Sequence, residues 1–298
     1  MSSLDQRIAA QLEADVEPAV RQFAAALGKD AGALAVLFYG SNLRTGSLDG
    51  VLDFYVMLDG EEERGIWPRV SYHERDHGGE TLRAKVATMN LKTFHAAASG
   101  RRMDTTIWAR FVQPSALAWM GEADTRNRII SAIAQAAQTA SRLAVALGPE
   151  RGREEDYWRA LFQATYAAEF RVEKAGRENS ILEANRTHFD GLLPASLSAQ
   201  GLPFEREGNT LRPLIEGEQR ARTLNWWNRR KRLGKPINFA RLLKASTTFE
   251  GAARYGAWKI ERHTGIPVEL TPWREKHPVL AAPAVLFDVW RKKKKAGS

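Results

Sequence analysis

Two short apolar segments joined by a polar turn constrain the fold of this 298-residue chain more than any other feature. Residues 34–39 are apolar and run into Gly40-Ser41, and residues 51–58 are apolar again with Asp53 near their start. Short apolar runs bounded by Gly and Asp are typical of buried strands. The pattern predicts two strands, and a turn between them whose glycine permits close backbone approach.

The rest of the chain divides into a mixed first part and a helical second part. Further strands are predicted over residues 80–90 and 106–113, and an amphipathic helix over residues 1–28. Helical spacing then predicts helices over 125–147, 154–174, 180–192, 215–233 and 237–262. The Pro and Gly content of residues 194–213 predicts an irregular connector. We therefore predict an α+β fold with a small mixed sheet in domain 1–122, a helical domain 123–270 and a basic C-terminal segment 271–298.

Composition limits the class of protein. Hydrophobic residues make up 44% of the chain and charged residues 27%, as in soluble globular proteins. The absence of cysteine excludes disulfides and thiolate metal sites and fits a reducing compartment. No apolar run approaches the roughly 20 residues that span a bilayer, and acidic residues in the first 28 positions argue against a cleavable signal.

Positive charge predicts an acidic partner. The net charge is +9, and residues 220–244 contain nine basic residues and no acid. The Trp226–Arg232 stretch fits either nucleic-acid stacking or a solvated helix face. The apolar segment 283–290, followed by basic residues 291–295, is typical of a membrane-surface anchor, although a tag or disordered tail over 292–298 is the alternative.

Asp53 is the candidate metal ligand. Metal-dependent nucleotidyl transfer commonly uses two carboxylates at positions i and i+2 of one strand, about 6–7 Å apart on one face. Here the second position is Tyr55, and Asp59 lies roughly 20 Å along the strand. The second ligand would come from Asp49 or from Glu169 of the helical part. The alternative is a plain β-hairpin in which Asp53 is a solvated edge residue.

A second polar cluster has two interpretations. His73 and His77, with the acids between them, have the spacing of metal ligands on a helix. The Gly78-Gly79 pair that follows favours a polar hairpin instead.

Blocks in sequence order resemble one enzyme family. These blocks are similar to the mitochondrial-type phosphatidate cytidylyltransferases, the CDP-diacylglycerol synthases of the translocator assembly and maintenance family. They are the segment 36–57, the strand 82–90 with Arg83 at the family's lysine, Ala109-Arg110 with Pro114, Thr165–Val172, and Asn185 with His188 and Phe189. The resemblance covers most of residues 34–192 and is loose beyond about 240. Asn42 stands where the family has a glycine, and the segment before Leu82 is shorter than in eukaryotic members.

The resemblance implies Mg²⁺-dependent transfer of CMP from CTP to phosphatidic acid, which gives CDP-diacylglycerol and pyrophosphate. It assigns nucleotide binding to Tyr39, Gly40, Ser41 and Asn42, metal binding to Asp53 and Glu169, and phosphate contact to Arg83, Lys85 and Arg110, with Arg171, His188 and Lys244 as further candidates. The acceptor phosphate is ionised at neutral pH, so a strong general base is not required. The implied location is cytoplasmic, peripherally associated with the inner face of an anionic membrane.

Two other functions stay open. A nucleotidyltransferase of the same fold could act on a polynucleotide, a protein or a soluble acceptor, with nucleic acid the less favoured partner. A non-catalytic adaptor would account for the missing second carboxylate.

Overall fold

The larger sheet lies in the first part of the chain. The computed structural model describes residues 2–65, 68–168 and 177–296. The strands of this sheet are β1 (Ala35–Tyr39), β2 (Leu52–Leu58), β3 (Arg69–His77), β4 (Glu80–Asn90) and β5 (Ser115–Met120). Their spatial order is β3-β4-β2-β1-β5, with β2 and β4 parallel and every other pair antiparallel. The predicted mixed sheet in an α+β protein is confirmed.

Three of the four strands expected from sequence are confirmed to within about one residue at each end: 34–39, 51–58 and 80–90. The hairpin interpretation of His73–His77 is also confirmed, because β3 and β4 pair around Gly78 and Gly79, both at positive φ. The strand predicted over 106–113 is wrong, because Thr106–Phe111 is helical. Ile107, Trp108 and Phe111 are all buried, and this i, i+1, i+4 set faces a core only on a helix.

The helices surround the sheet and continue beyond it. They are α1 (Ser3–Leu12), α2 (Pro18–Asp30), α3 (Ser41–Thr45), α4 (Leu91–Ala98), α5 (Thr106–Phe111), α6 (Thr125–Leu147), α7 (Glu154–Ala168), α8 (Arg177–Ala184), α9 (Arg186–Phe189), α10 (Leu192–Ala199), α11 (Gly217–Thr248), α12 (Ala252–Thr264), α13 (Pro272–Lys276) and α14 (Pro278–Ala296). A second sheet has the order β6-β8-β7, formed by β6 (Gly152–Arg153), β7 (Phe204–Glu207) and β8 (Thr210–Pro213).

Several helix predictions need correction. The helix at 125–147 is confirmed, and the helix at 154–174 is confirmed as far as Ala168, beyond which residues 169–176 lie outside the described part. Residues 1–28 form two helices, since Pro18 starts a new one. The expected helix at 180–192 is three short helices, and the expected connector at 194–213 instead holds most of α10 and the β7–β8 hairpin.

The predicted break near residue 235 is absent. Helix α11 runs through Pro236 for 32 residues, so the two expected helical stretches there are α11 and α12. A proline inside a helix removes one backbone hydrogen bond but does not always end it.

The two faces of the larger sheet pack against different helices. Val36, Phe38 and Phe54 belong to a core with α2. Leu37 and Tyr55 face the other way, into a larger core with α1, α4, α5 and α6. That second core also contains residues of α7, α8 and α11, so it spans the domain boundary predicted at 122/123, and this boundary stays a prediction.

The C-terminal segment is helical. Ala281, Val285 and Val289 of α14 pack against partly buried Ile260 and other apolar residues around the end of α12. Among the described residues, no helix combines the length and the apolar character needed to cross a bilayer.

Candidate functional site

One row of side chains crosses the larger sheet at the edge where β1 ends and β2 begins. The row consists of successive register partners on five neighbouring strands: Ser115, Tyr39, Asp53, Lys85 and Tyr72. Register partners on adjacent strands project to the same face. Asp53 therefore lies between Tyr39 and Lys85, as a sheet residue rather than a hairpin edge.

The Gly40 turn closes over Asp53. Gly40 has φ +92° and ψ −163°, a region that is essentially open to glycine alone. A Cβ at this position would lie 3.0 Å from Asp53 Oδ2. The predicted role of this glycine in close backbone approach is consistent with both observations, and the backbone that it brings close faces the carboxylate.

Asn42 holds the following loop. It is 8% exposed, and its Nδ2 donates to the carbonyls of Ser47 and Asp49, both at 2.8 Å. No described non-glycine residue has positive φ, so asparagine at the family's glycine position requires no left-handed backbone. Asn42 is not among the described residues that line the cleft below, whereas Ser41 is.

A cleft of about 230 Å³ opens beside Asp53. It is lined by Tyr39, Gly40, Ser41, Arg44, Asp53, Arg110, Gln113, Pro114, Tyr166 and Ile181. Sequence reasoning missed Arg44 and Gln113. The position of Arg44, one helical turn after Ser41, was a signal that could have identified it. Gln113 had no such signal, because it is the last residue of the segment 106–113 that was expected to be a strand.

Charges around Asp53 oppose its desolvation. Burial raises the pKa of the Asp53 carboxyl above its ordinary value, while the positive charges of Lys85 and Arg110 act to lower it. Arg110 is held against Tyr39: its Nη1 donates to the tyrosine hydroxyl at 3.3 Å, and its guanidinium lies 5.1 Å from the ring centroid. The site is thus a poorly solvated carboxylate beside two cations.

The position two residues after Asp53 is structural. Tyr55 is 1% exposed, and its ring packs edge-on against Phe94 and Phe111. Burial raises the pKa of the Tyr55 hydroxyl, so it stays protonated at neutral pH. An aromatic core residue therefore occupies the place of the usual second carboxylate.

Asp53 is the one carboxylate among the described residues that line the cleft. Asp59 is ion-paired with Arg128 at 3.6 Å, and the exposed Asp49 does not line the cleft. Within the described residues no group of three acids or histidines could hold a metal ion. The predicted ligand Glu169 and the candidate Arg171 lie outside the described residues.

Four other candidates are not among the described residues that line the cleft: Arg83, Lys85, Lys244 and His188. Arg83 shares a strand face with Lys85, but its Nε lies 3.4 Å from Glu74 Oε1 and its guanidinium 5.4 Å from the Trp258 ring centroid. Lys244 lies on α11, one turn beyond Arg241.

His188 is partly buried and contacts the backbone of a neighbouring helix. Its Nε2 lies 2.8 Å from the carbonyl oxygen of Val112, the C-cap of α5, and because a carbonyl only accepts, Nε2 carries the proton. Burial lowers the pKa of His188 to about 4, so the ring is neutral at neutral pH. It thereby ties α9 to the end of the helix that carries Arg110.

A buried ion pair secures the other end of α5. Arg241 of α11 donates from both terminal nitrogens to Asp104, each at 2.7 Å. Asp104 also accepts hydrogen bonds from the backbone N–H and the hydroxyl of Thr106. Burial acts to raise the pKa of Asp104, but the charge and hydrogen bonds of Arg241 and Thr106 outweigh it and leave the pKa lowered. Nothing in the sequence linked these residues, which are 137 positions apart.

A scan against models of protein families returns no match for this chain, and a search among curated proteins also returns none. The resemblance to the phosphatidate cytidylyltransferases therefore stays a prediction based on the sequence blocks.

Proposed function

We propose that the cleft binds CTP with Mg²⁺ and transfers CMP to phosphatidic acid. The observation that carries this proposal is the Gly40 backbone closing on a desolvated Asp53 carboxylate, with Lys85 and Arg110 close enough to shift its pKa. A close backbone, one carboxylate and neighbouring cations are what a metal–triphosphate complex requires. The nucleotidyltransferase-like character of the first domain is part of the same proposal.

Asp53 fits a magnesium ligand. Mg²⁺ commonly takes one or two carboxylates and completes its shell with water and substrate phosphates. A single carboxylate in the described lining is therefore compatible with a magnesium site. Burial disfavours the ionised carboxylate, and a bound cation would restore its charge balance. Glu169 remains the proposed second ligand. When bound, Mg²⁺ would supply charge neutralisation on the triphosphate and the leaving pyrophosphate.

The residues of the chain then have separate roles. The turn at Gly40 and Ser41 receives the phosphates, and Lys85 and Arg110 offset charge that develops during transfer. A phosphate oxygen of phosphatidic acid attacks the α-phosphorus of CTP. The bond from this phosphorus to the β-phosphate oxygen breaks, and pyrophosphate leaves.

The outer face of α14 supports a membrane location for this reaction. Leu280, Phe287 and Trp290 recur at helical spacing and are 58–69% exposed, opposite the buried Ala281 face. Arg291 and Lys292 follow directly and are also exposed. An exposed apolar stripe ending in basic residues is typical of helices that lie in a membrane interface.

The reaction is tested with CTP labelled at the α-phosphate, phosphatidic acid in mixed micelles, and Mg²⁺. We expect label in a lipid product, and we expect Asp53→Ala to abolish it without unfolding the protein. Asp59→Ala is the matched control, because it removes an exposed acid just beyond the other end of β2. Normal activity of Asp53→Ala would refute the site, and failure of the wild-type protein to label lipid would refute the acceptor.

Membrane association has its own test. Phe287→Ala with Trp290→Ala should weaken cosedimentation with vesicles that contain anionic lipid, since both rings lie on the outer face of α14. Phe239→Ala is the control, because Phe239 is 63% exposed on α11. Equal binding by both variants would contradict a role for this helix.

The tryptophans that were expected to stack on bases, if the acceptor is a polynucleotide, pack inside the protein instead. Trp227 is 3% exposed, and both Trp226 and Trp227 pack against Trp108, with centroids 5.9 and 6.2 Å away. Arg230 donates to the carbonyls of Gly100 and residue 102 instead of facing solvent. Stacking on bases requires exposed rings, whereas Trp227 is buried and Trp226 is partly buried. A non-catalytic adaptor would show no binding of CTP–Mg²⁺ by calorimetry.

A further inference from the structure

The lining of the cleft has two chemically different parts. The β1–α3 turn and β2 contribute Gly40, Ser41, Arg44 and Asp53, which suit phosphates and a metal. The segment after α5, together with α7 and α8, contributes Gln113, Pro114, Tyr166 and Ile181, which carry no charge. Arg110 of α5 adds a second positive charge, and Tyr39 completes the described lining. A nucleotide has the same division between its phosphates and its base.

The uncharged part offers apolar surface to a flat ring. Tyr166 is partly buried and is stacked near-parallel on Phe162, with an interplanar angle of 23°. Pro114 and Ile181 add apolar surface to the same cleft. Nucleobases bind against aromatic and apolar side chains, and their polar edges are then read by hydrogen bonds.

Gln113 lines this part of the cleft, and one end of its side-chain amide is held by the backbone. Its backbone N–H donates to the Arg110 carbonyl, and its side-chain Nε2 donates to the Ala109 carbonyl, both at 3.1 Å. Because a carbonyl oxygen can only accept, this contact determines which end of the amide faces Ala109. Oε1 is left as an acceptor with no hydrogen-bond partner among the described residues.

An acceptor at this place distinguishes bases. Cytosine carries an exocyclic amino donor at position 4 and adenine carries one at position 6, whereas uracil carries a carbonyl at position 4. A carbonyl facing Gln113 Oε1 would leave two acceptors opposed and without water, which disfavours binding.

We propose that Gln113 Oε1 accepts a hydrogen bond from the exocyclic amino group of the nucleobase and thereby selects an amino-bearing base over uracil. This inference rests on the proposed function, since it requires that the cleft binds a nucleoside triphosphate. Gln113 is then a specificity residue with no part in the transfer step.

The test is calorimetric binding of CTP, ATP and UTP, each with Mg²⁺, to the full chain and to Gln113→Met. Methionine keeps the length of the side chain and removes both amide groups. We expect the wild-type protein to prefer CTP over UTP by about tenfold, the value of one well-placed hydrogen bond, and Gln113→Met to reduce the ratio below about threefold. Gln22→Met, on an exposed position of α2, should leave the ratio unchanged.

The CTP-to-UTP ratio is the deciding quantity, because partial unfolding of a variant lowers both affinities together. ATP binding as strong as CTP binding would support recognition of the amino group alone, without selection for ring size. Binding of CTP with a ratio that Gln113→Met does not change would overturn this inference and leave the proposed function intact. No binding of any nucleotide by the wild-type protein would overturn both.

Discussion

Replacing Gly40 with alanine tests whether the backbone geometry of the turn beside Asp53 is required for stability and for nucleotide binding. The residue adopts φ +92° and ψ −163°, where a non-glycine residue costs on the order of 1–3 kcal/mol. The new Cβ would also lie 3.0 Å from Asp53 Oδ2, closer than ordinary van der Waals contact, so the carboxylate or the turn must shift. We expect Gly40→Ala to lower the free energy of unfolding by about 2–3 kcal/mol.

Gly46→Ala is the matched control in the same connection. Gly46 has φ +67° and ψ 1°, the ordinary left-handed region, and its Cβ would meet nothing within 4 Å. Its cost should be about 1 kcal/mol. Urea unfolding gives both values, and in thermal unfolding each kcal/mol corresponds to roughly 2–4 °C in Tm.

Nucleotide affinity separates the two variants further. Gly40→Ala should lose at least about tenfold in affinity for CTP–Mg²⁺, because the cleft side of the turn moves away from Asp53. Gly46→Ala should stay within about threefold, since Gly46 does not line the cleft. Equal stabilities of the two variants, or unchanged CTP affinity in Gly40→Ala, would refute the role given to this turn.

Three further experiments test the electrostatics of the site region. Asp53→Asn should stabilise the protein at pH 7. The pKa of Asp53 is raised in the folded state, so the wild-type protein loses stability as the pH rises from below 3.8 through that pKa. In urea titrations the stability gained by the variant should therefore shrink at acid pH. Asp104→Ala should cost about 3–5 kcal/mol by removing the carboxylate that pairs with the partly buried Arg241. A double-mutant cycle with Arg241→Met should recover part of this loss. The wild-type protein should lose about 3 kcal/mol of stability as the pH falls from 6.5 towards 4, because His188 is held neutral against Val112. His188→Gln should remove this loss, and an unchanged pH profile would contradict the assignment.

The local part of the site could be predicted from sequence because it depends on neighbours along the chain. Gly40 ends one strand and Asp53 begins the next, and an antiparallel pair joined by a short connection brings such residues together. The parallel register that places Lys85 beside Asp53 could not be predicted, because it depends on how β4 returns to the sheet.

The helix at Thr106–Phe111 shows why other parts could not be predicted. The segment alternates well enough for a strand, and short apolar runs do not distinguish strand from helix. Packing of Trp108 against two tryptophans of α11, and the Asp104–Arg241 pair, select the helix. Arg110 and Gln113 reach the cleft only because this segment is helical and ends where it does.

The sequence alone determined the first two strands, the glycine turn between them, the hairpin at Gly78-Gly79 and the long helix α6, since each depends on local periodicity and turn chemistry. Only the tertiary structure decided that Asp53 lies in the sheet between Tyr39 and Lys85, that Tyr55 is a core residue, and which helices close the cleft. The physical reason is distance along the chain. Burial, desolvation of a carboxylate and the pairing of charges more than a hundred residues apart arise only when remote segments pack together.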